Sequence, residues 1–339
     1  MEKELEENII KRLAIGDGFR RSASRVPNKV ALIEKRDGKD LRVTYKELND
    51  QLNRFVRAMR GLGLKKGDRV ACLGPNSIKF AVVLYGSPKG GFTFVPINFM
   101  LAPEDILHIL NDAEVKVFVF DDALIPIVLK VMERKPKTVE HYVFMPITKS
   151  EIPENRDLLN FDEIVNRQSP EEVEDVIIWE KDIAEISYSS GATAAPKGAM
   201  LSHLSMYIPA LQTLIEMAPH LNQDSILGMP LPIFHCGGRT FTTSCLFIGG
   251  TVVLFRNFDP IEILKGIERE RINLFMGLPM MWRGVFFHPD FNKYDTSSVT
   301  SGIYGMAPMD EKTLEFLVKE RGIALYLNSG QTEFFPPTN

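Results

Sequence analysis

One stretch of the sequence concentrates residue types that can hold a phosphate chain. Tyr188-Ser189-Ser190-Gly191-Ala192-Thr193-Ala194-Ala195-Pro196-Lys197-Gly198 places small residues, hydroxyls and a single cation between a strand-like run and a helical one. Small residues let the backbone approach a ligand closely, N–H and hydroxyl groups donate to phosphate oxygens, and an ammonium group neutralises their charge. The order Pro196-Lys197-Gly198 departs from the Gly-x-x-x-x-Gly-Lys-Ser/Thr pattern, which speaks against a P-loop NTPase. Taken alone, the segment is also compatible with an ordinary Ser/Gly-rich turn, the less favoured of the two readings.

Other groups with reactive potential are few. Cys72, Cys236 and Cys245 sit in apolar stretches and form no Cys-x-x-Cys pair. Neither Cys236 nor Cys245 has a basic neighbour in sequence to lower its pKa, so both read as small core residues. His108, His141, His220 and His288 lack metal-ligand spacing. His235 and Glu333, each considered singly, read as a hydrogen-bonded structural histidine and a solvated carboxylate.

Alternating strands and helices must position these groups. Thr44-x-x-Glu47 forms a capping box, and Leu48, Leu52, Phe55, Val56 and Met59 share one helical face until Gly61 and Gly63. Strands are expected at 68–73, 92–97, 115–120 and 142–145, with helices at 103–110 and 123–132 and a break across Gly86 to Gly91, where Pro88 ends a helix. The polar, acidic stretch from Lys149 to Lys181 reads as a surface connection. Beyond it come strands at 185–188, 226–229, 251–255, 273–276, 302–304 and 324–327. Helices are expected at 205–217, 237–247, 260–270, 279–286 and 310–321. Such alternation predicts an α/β fold with crossover helices, divided into subdomains 1–178 and 179–339.

The bulk properties exclude several classes. The chain has 339 residues, of which 45% are hydrophobic, enough for a large core. Forty basic residues against forty-four acidic ones give a formal charge of −4, with no basic block to suggest nucleic acid. The start, MEKELEENIIKRL, lacks the apolar core of a secretory signal. Apolar runs such as 80–85 and 248–255 fall far short of the roughly 20 residues that cross a bilayer. The expectation is a soluble, cytoplasmic protein without a transmembrane segment.

Ser189 to Gly198, followed by Ala199-Met200-Leu201-Ser202-His203, resembles the phosphate-binding signature of the adenylate-forming superfamily, which includes acyl-CoA synthetases, luciferases and peptide-synthetase adenylation domains. Further similar segments follow in collinear order. Val43-Thr44-Tyr45-Lys46-Glu47-Leu48, Gly67-Asp68-Arg69-Val70-Ala71, Gly74-Pro75-Asn76-Ser77 and Val95-Pro96-Ile97-Asn98 match early family segments. Pro230-Leu231-Pro232-Ile233-Phe234-His235 resembles a Pro-Leu-Phe-His element, and Gly305-Met306-Ala307-Pro308-Met309 a Gly-Gly-Ala-Pro one. Ser329-Gly330-Gln331-Thr332-Glu333 resembles Tyr-Gly-x-Thr-Glu.

The resemblance implies two α/β subdomains with mixed or parallel sheets flanked by helices, and a cleft at the strand ends. It implies that Ser189, Ser190, Gly191, Thr193, Lys197 and Gly198 cradle the ATP phosphates. Gly305, Met306, Ala307 and Pro308 would line one side of the adenine, and Ser329, Gly330 and Gln331 would belong to the nucleotide-binding set. Thr332 would touch the α-phosphate and Glu333 would hold Mg2+. His235 would stand beside the reacting carboxylate, with Phe234, Cys236 and Gly237 in an acyl pocket. The implied reaction is attack of a carboxylic acid, with a fatty acid favoured by the segment 330–337, on the α-phosphorus of ATP, followed by transfer of the acyl group to CoA.

The sequence departs from the family pattern at several points. Ala192 stands where a hydroxyl is usual, a loss worth about 1–3 kcal/mol for one donor, and Ala194 where a glycine is usual, a strain of roughly 1 kcal/mol. Ser329 replaces an aromatic residue that stacks on adenine, and Leu204 and Ser205 replace Arg and Asn. The chain stops at Asn339, so the family's hinge and C-terminal domain are expected to be absent or supplied by a separately encoded partner. Two readings follow: a ligase half that adenylates an acid, or a non-catalytic nucleotide- or acyl-binding fragment.

Overall fold

The computed structural model describes residues 2–36, 40–154, 157–189, 196–218 and 220–332. Among these, the strands in chain order are β1 (Val30–Lys35), β2 (Leu41–Thr44), β3 (Arg69–Leu73), β4 (Thr93–Ile97), β5 (Val115–Asp121), β6 (His141–Met145) and β7 (Leu158–Asn160). They continue as β8 (Ile183–Ser189), β9 (Lys197–Ser202), β10 (Ile226–Met229), β11 (Thr251–Phe255), β12 (Leu274–Gly277), β13 (Ser301–Gly305) and β14 (Ala324–Asn328). The α-helices are α1 (Glu2–Lys11), α2 (Ile15–Arg25), α3 (Tyr45–Gly61), α4 (Ile78–Lys89), α5 (Pro103–Asp112), α6 (Ile125–Glu133) and α7 (Phe161–Asn166). After them come α8 (His203–Glu216), α9 (Cys236–Ile248), α10 (Pro260–Glu270), α11 (Pro279–Phe286) and α12 (Glu311–Glu315), the last running on as a π-helical turn over Phe316–Glu320.

Two compact units divide the chain. The first comprises Met1–Arg21, Glu47–Pro75 and Lys79–Tyr207, and the second Ser22–Lys46, Asn76–Ile78 and Ile208–Asn339. The contiguous split at residue 178 therefore gives way to an interleaved one. Its physical reason is strand pairing: β8 joins the first sheet beside β4 and carries β9 with it, while β1 joins the second sheet beside β11.

Each unit contains one seven-stranded sheet. The first has the order β7-β6-β5-β3-β4-β8-β9 and the second β14-β13-β12-β10-β11-β1-β2. In both, six strands run parallel and the last edge strand, β9 or β2, runs antiparallel. Parallel strands are covered on both faces and need continuous apolar runs; β11, Thr-Val-Val-Leu-Phe, is buried throughout. Behind β12 and β13, Trp282 fills the core and donates Nε1–H to the Ile303 carbonyl at 3.2 Å. Its ring lies 2.3 Å from where a Cβ on Gly302 would stand, which explains that glycine.

Three local expectations are revised. The helix after Asn76 continues through Gly86 to Lys89, because a Cβ at Gly86 would meet the Phe55 ring at 2.6 Å and the glycine is there for packing. Pro88 lies inside that helix, which ends at Lys89, shortly before Gly91 with its φ of +78°. The 149–181 connection contains β7 and α7, whose cap Asn160 accepts from the N–H groups of Asp162 and Glu163. The segment after the phosphate-type loop is a strand, β9, before it becomes a helix.

Candidate active site

In the second sheet the chain leaves β10 through α9 to reach β11 on one side, then leaves β11 through α10 to reach β12 on the other. Such a reversal opens a crevice outside the carboxyl ends of the strands. A cleft of 330 Å³ lies there, lined by Leu231, His235, Cys236, Gly237, Met276, Gly277, Leu278, Gly305, Met306 and the run Asn328 to Thr332. Three separate sequence motifs thus meet in one place.

The β10–α9 loop presents His235 as the N-cap of α9. Its Nδ1 accepts from the Gly237 N–H at 3.3 Å, so the neutral ring carries its proton on Nε2. The ring opens to the cleft on one side. Loss of solvent on its other sides, aided by the Arg239 guanidinium, lowers its pKa and favours that neutral form. Gly238 is required because a Cβ would stand 2.6 Å from the Pro232 carbonyl oxygen.

Asn76 holds this loop, a function that its sequence position did not reveal. Its Nδ2 donates to the carbonyls of Met229, Leu231 and Phe255 at 3.4, 2.9 and 3.1 Å, and its Oδ1 accepts from the Ile233 N–H at 2.9 Å. One buried amide thereby ties the ends of β10 and β11 to the loop carrying His235.

The opposite wall comes from β13 and β14. Gly305 pairs with Asn328, and a Cβ on Gly305 would stand 2.2 Å from the Asn328 carbonyl oxygen, so only glycine allows the two strand ends to close. Met306 follows with φ of +65°, a conformation natural to glycine and strained for a side chain. Its Cε approaches within 3.1 Å of where a Gly237 Cβ would be, bringing the two motifs together.

In the first unit, antiparallel pairing sets Ser189 opposite Lys197 and Tyr188 opposite Gly198. Lys197 is exposed, and Gly198 has no room for a Cβ against Ile186, at 2.7 Å. His108, which has no role legible in its sequence context, donates from Nε2 to the Pro196 carbonyl at 3.0 Å, and the Tyr188 hydroxyl donates to Asp112 at 2.6 Å. Both anchors lie on α5, and burial together with the Asp112 carboxylate raises the Tyr188 pKa, keeping its proton in place.

Of the residues named from sequence, His235, Cys236, Gly237, Gly305, Met306, Ser329, Gly330, Gln331 and Thr332 line the cleft. Ala307 and Pro308 are exposed beside it and do not line it, and Phe234 contributes a backbone carbonyl to Arg239 at 2.9 Å. Ser190, Gly191, Thr193 and Glu333, with Ala192 and Ala194, lie outside the described residues. The cysteines are free and buried, and burial drives the Cys245 pKa up to about 12. Among the described residues no group of three or more His, Cys, Asp or Glu could hold a metal ion, and no helix is long and apolar enough to cross a membrane.

Residues 19–339 match the family described as AMP-binding enzyme. The chain belongs to this family. Among AMP-binding relatives, feruloyl-CoA synthase of Amycolatopsis sp is 30% identical over 295 residues, covering 87% of this chain and 55% of that protein. A long-chain-fatty-acid–CoA ligase of Bacillus subtilis (strain 168) is 28% identical over 341 residues, covering 94% of this chain and 60% of the relative. The inhibitor-bound N-terminal domain of FACL13 from Mycobacterium tuberculosis superposes with a TM-score of 0.83 at 28% identity, over 94% of this chain and 76% of that one. The anthranilate CoA ligase AuaEII in complex with anthranoyl-AMP gives 0.84 at 22% identity, over 96% and 60%, a likeness of fold alone. The chain spans about half the length of the first curated relatives it matches.

Proposed function

We propose that this AMP-binding chain activates a carboxylic acid. The carboxylate oxygen attacks the α-phosphorus of ATP, the bond to the β-phosphate oxygen breaks, and pyrophosphate leaves as the acyl-adenylate forms. A CoA thiol then displaces AMP. The observation that carries this reading is the convergence of His235, Gly305–Met306 and Ser329–Thr332 on one cleft at the switch point of a parallel sheet.

Roles follow from chemistry. Lys197, with Ser189, Ser190, Gly191, Thr193 and Gly198, neutralises and orients the phosphates, the main requirement of a displacement that needs no protein nucleophile. Thr332 donates to the α-phosphate. Neutral His235 directs its Nε2–H at the incoming carboxylate. The close approach of backbone at Gly305 suits a flat adenine ring. Glu333 is the carboxylate suited to Mg2+, which supplies charge neutralisation on phosphate oxygens when bound.

The acid is hydrophobic in body. Relatives named as long-chain-fatty-acid ligases support the fatty acid expected from sequence, and the relative named feruloyl-CoA synthase supports an aryl acid. A cytoplasmic setting agrees with three free, buried thiols.

Acid-dependent ATP–pyrophosphate exchange tests the proposal, using the purified chain, Mg2+ and a panel of fatty and aryl acids. Exchange should require one class of acid and fall by at least about 100-fold in Lys197→Ala. A folded chain that exchanges with no acid overturns the assignment of adenylation to this chain.

A further inference from the structure

Helix α5 takes part in two hydrogen bonds to which the chemistry above gives no task, and both end beside Lys197. His108 and Asp112 stand four residues apart, on one side of the helix. His108 donates from Nε2 to the Pro196 carbonyl at 3.0 Å, and Asp112 accepts from the Tyr188 hydroxyl at 2.6 Å. The Tyr188 ring then lies over Gly198, its partner across the strands: a Cβ on Gly198 would stand 3.0 Å from Cζ of the tyrosine and 3.2 Å from its hydroxyl oxygen. The residues immediately before and after Lys197 are thus each held by a side chain that belongs to α5 or is bonded to it.

The helix is firmly seated, and the lysine is not. Ile106, Ile109 and Leu110 of α5 are buried in one apolar cluster with Leu73 of β3, Val95 of β4 and Phe118 of β5, and Tyr188 packs against the same cluster. The His108 and Tyr188 rings meet edge to face, with centroids 6.5 Å apart. Burial and the Asp112 carboxylate raise the Tyr188 pKa, so the phenol keeps its proton and remains a donor. Lys197 itself is exposed, at the end of a flexible four-carbon stem. The position of its ammonium group is only as well defined as the backbone beneath it, and a group that neutralises a phosphate chain works best when it is in place before the ligand arrives.

Resting on the adenylation reading, we propose that α5 is the platform that places Lys197 for the phosphates of ATP, with His108 and Tyr188 as positioning residues acting through the backbone on either side of it. Their effect reaches the nucleotide only through the lysine. That dependence separates the role from a general contribution to folding.

The test compares two ligands by calorimetry: α,β-methylene-ATP, which keeps the phosphate chain and resists cleavage at the α-phosphorus, and an acyl-sulfamoyl adenosine, which has no phosphate chain. His108→Ala and Tyr188→Phe should each weaken binding of the ATP analogue by about ten-fold and leave the sulfamoyl adenosine within about two-fold. His108→Gln, whose amide still donates, should recover most of the loss. In a Lys197→Ala background both substitutions should lose their effect on the ATP analogue, because the group they place is gone. Tyr188→Phe keeps the ring over Gly198 and keeps the test decisive if the alanine variant fails to fold. Equal binding of the ATP analogue by the wild type and both variants overturns the proposal. So does a loss shared by the two ligands, or one that persists undiminished without the lysine, since either would reduce the two bonds to packing of β8 and β9. Failure of a folded wild-type chain to bind the ATP analogue overturns the adenylation reading itself, an outcome visible before any variant is compared.

Discussion

The two sheets share one plan, six parallel strands closed by an antiparallel edge, yet their switch points differ. In the second sheet the reversal at β10 opens into the 330 Å³ cleft. The first sheet reverses in the same way at β3, with β4 on one side and β5 on the other, and there two carboxylates tie neighbouring loops together. Asp121 caps the turn after β5, accepting from the Ala123 N–H at 3.0 Å. Asp122 accepts from the Thr148 N–H and hydroxyl at 2.8 and 2.9 Å and from the Ser150 N–H at 3.1 Å, binding the turn after β5 to the loop after β6. Topology supplies a crevice at both places. The side chains at the two places differ: carboxylates accept the local donors at one, and glycines line the other.

The sharpest way to break this contrast is to add a side chain at each crevice. At Gly305 a Cβ would lie 2.2 Å from a backbone oxygen that cannot swing aside. Gly305→Val should therefore displace the end of β14 with the Asn328–Thr332 wall and weaken binding of an acyl-sulfamoyl adenosine by at least about 100-fold, or roughly 3 kcal/mol. At Gly74, which follows β3, the nearest atom is the Asp121 Cβ at 3.1 Å. A side chain can yield by that little, so Gly74→Ala should cost at most about 1 kcal/mol in a urea melt and leave ligand binding unchanged. Equal effects of the two substitutions on binding would end the distinction between open and closed switch points.

Asn76 sets the rigidity of the open site. Asn76→Ala deprives three buried carbonyls and one buried N–H of their partner, and a loss of about 3 kcal/mol in unfolding free energy is expected. Pyrophosphate exchange should fall further than the folded fraction does, since the loop carrying His235 loses its tie. Activity that tracks stability alone would reduce Asn76 to a packing residue.

Most of the strands were readable because buried parallel strands are uninterrupted apolar runs, as in β5 and β11. The antiparallel edge β9 escaped notice because its half-exposed face mixes Lys197 and Gly198 with Met200 and Leu201. β7 was hidden in an acidic stretch, since an edge strand of three residues carries almost no periodic signal. Within the cleft, residues on continuous motifs were found from sequence, namely His235 to Gly237, Gly305 to Met306 and Ser329 to Thr332. Asn76 and His108 were not, because their tasks depend on partners that the fold brings near. The bond from Asn76 to Ile233 crosses 157 positions, and that from His108 to Pro196 crosses 88. No local pattern encodes such a bond.

The closed crevice makes a pH prediction. Burial alone would raise the Asp122 pKa, but the hydrogen bonds from Thr148, Ile147 and Ser150 outweigh it and hold the carboxyl below its ordinary value. A depressed folded-state pKa contributes stability that is complete above the unfolded value of about 3.9 and is lost as pH falls through the folded one. Asp122→Asn should cost about 1 kcal/mol at neutral pH. The difference from wild type should shrink on acidification below pH of about 3.9. A difference that stays constant down to the acid limit would mean that the bonds do not distinguish carboxylate from amide.

Met306 gives the smallest expected effect and the finest probe of the open cleft. Relief of its positive φ by Met306→Gly gains roughly 1 kcal/mol, while the freedom that glycine adds to the unfolded chain removes about 0.5–1 kcal/mol. Net stability should thus move by less than about 0.5 kcal/mol. The side chain reaches toward Gly237 across the cleft mouth, so its removal should widen the range of acids accepted while leaving the melting transition nearly where it was. A melt shifted by several degrees would show that Met306 is held in place by packing that the cleft does not account for. An unchanged melt with an unchanged acid range would separate the strain at this position from selectivity.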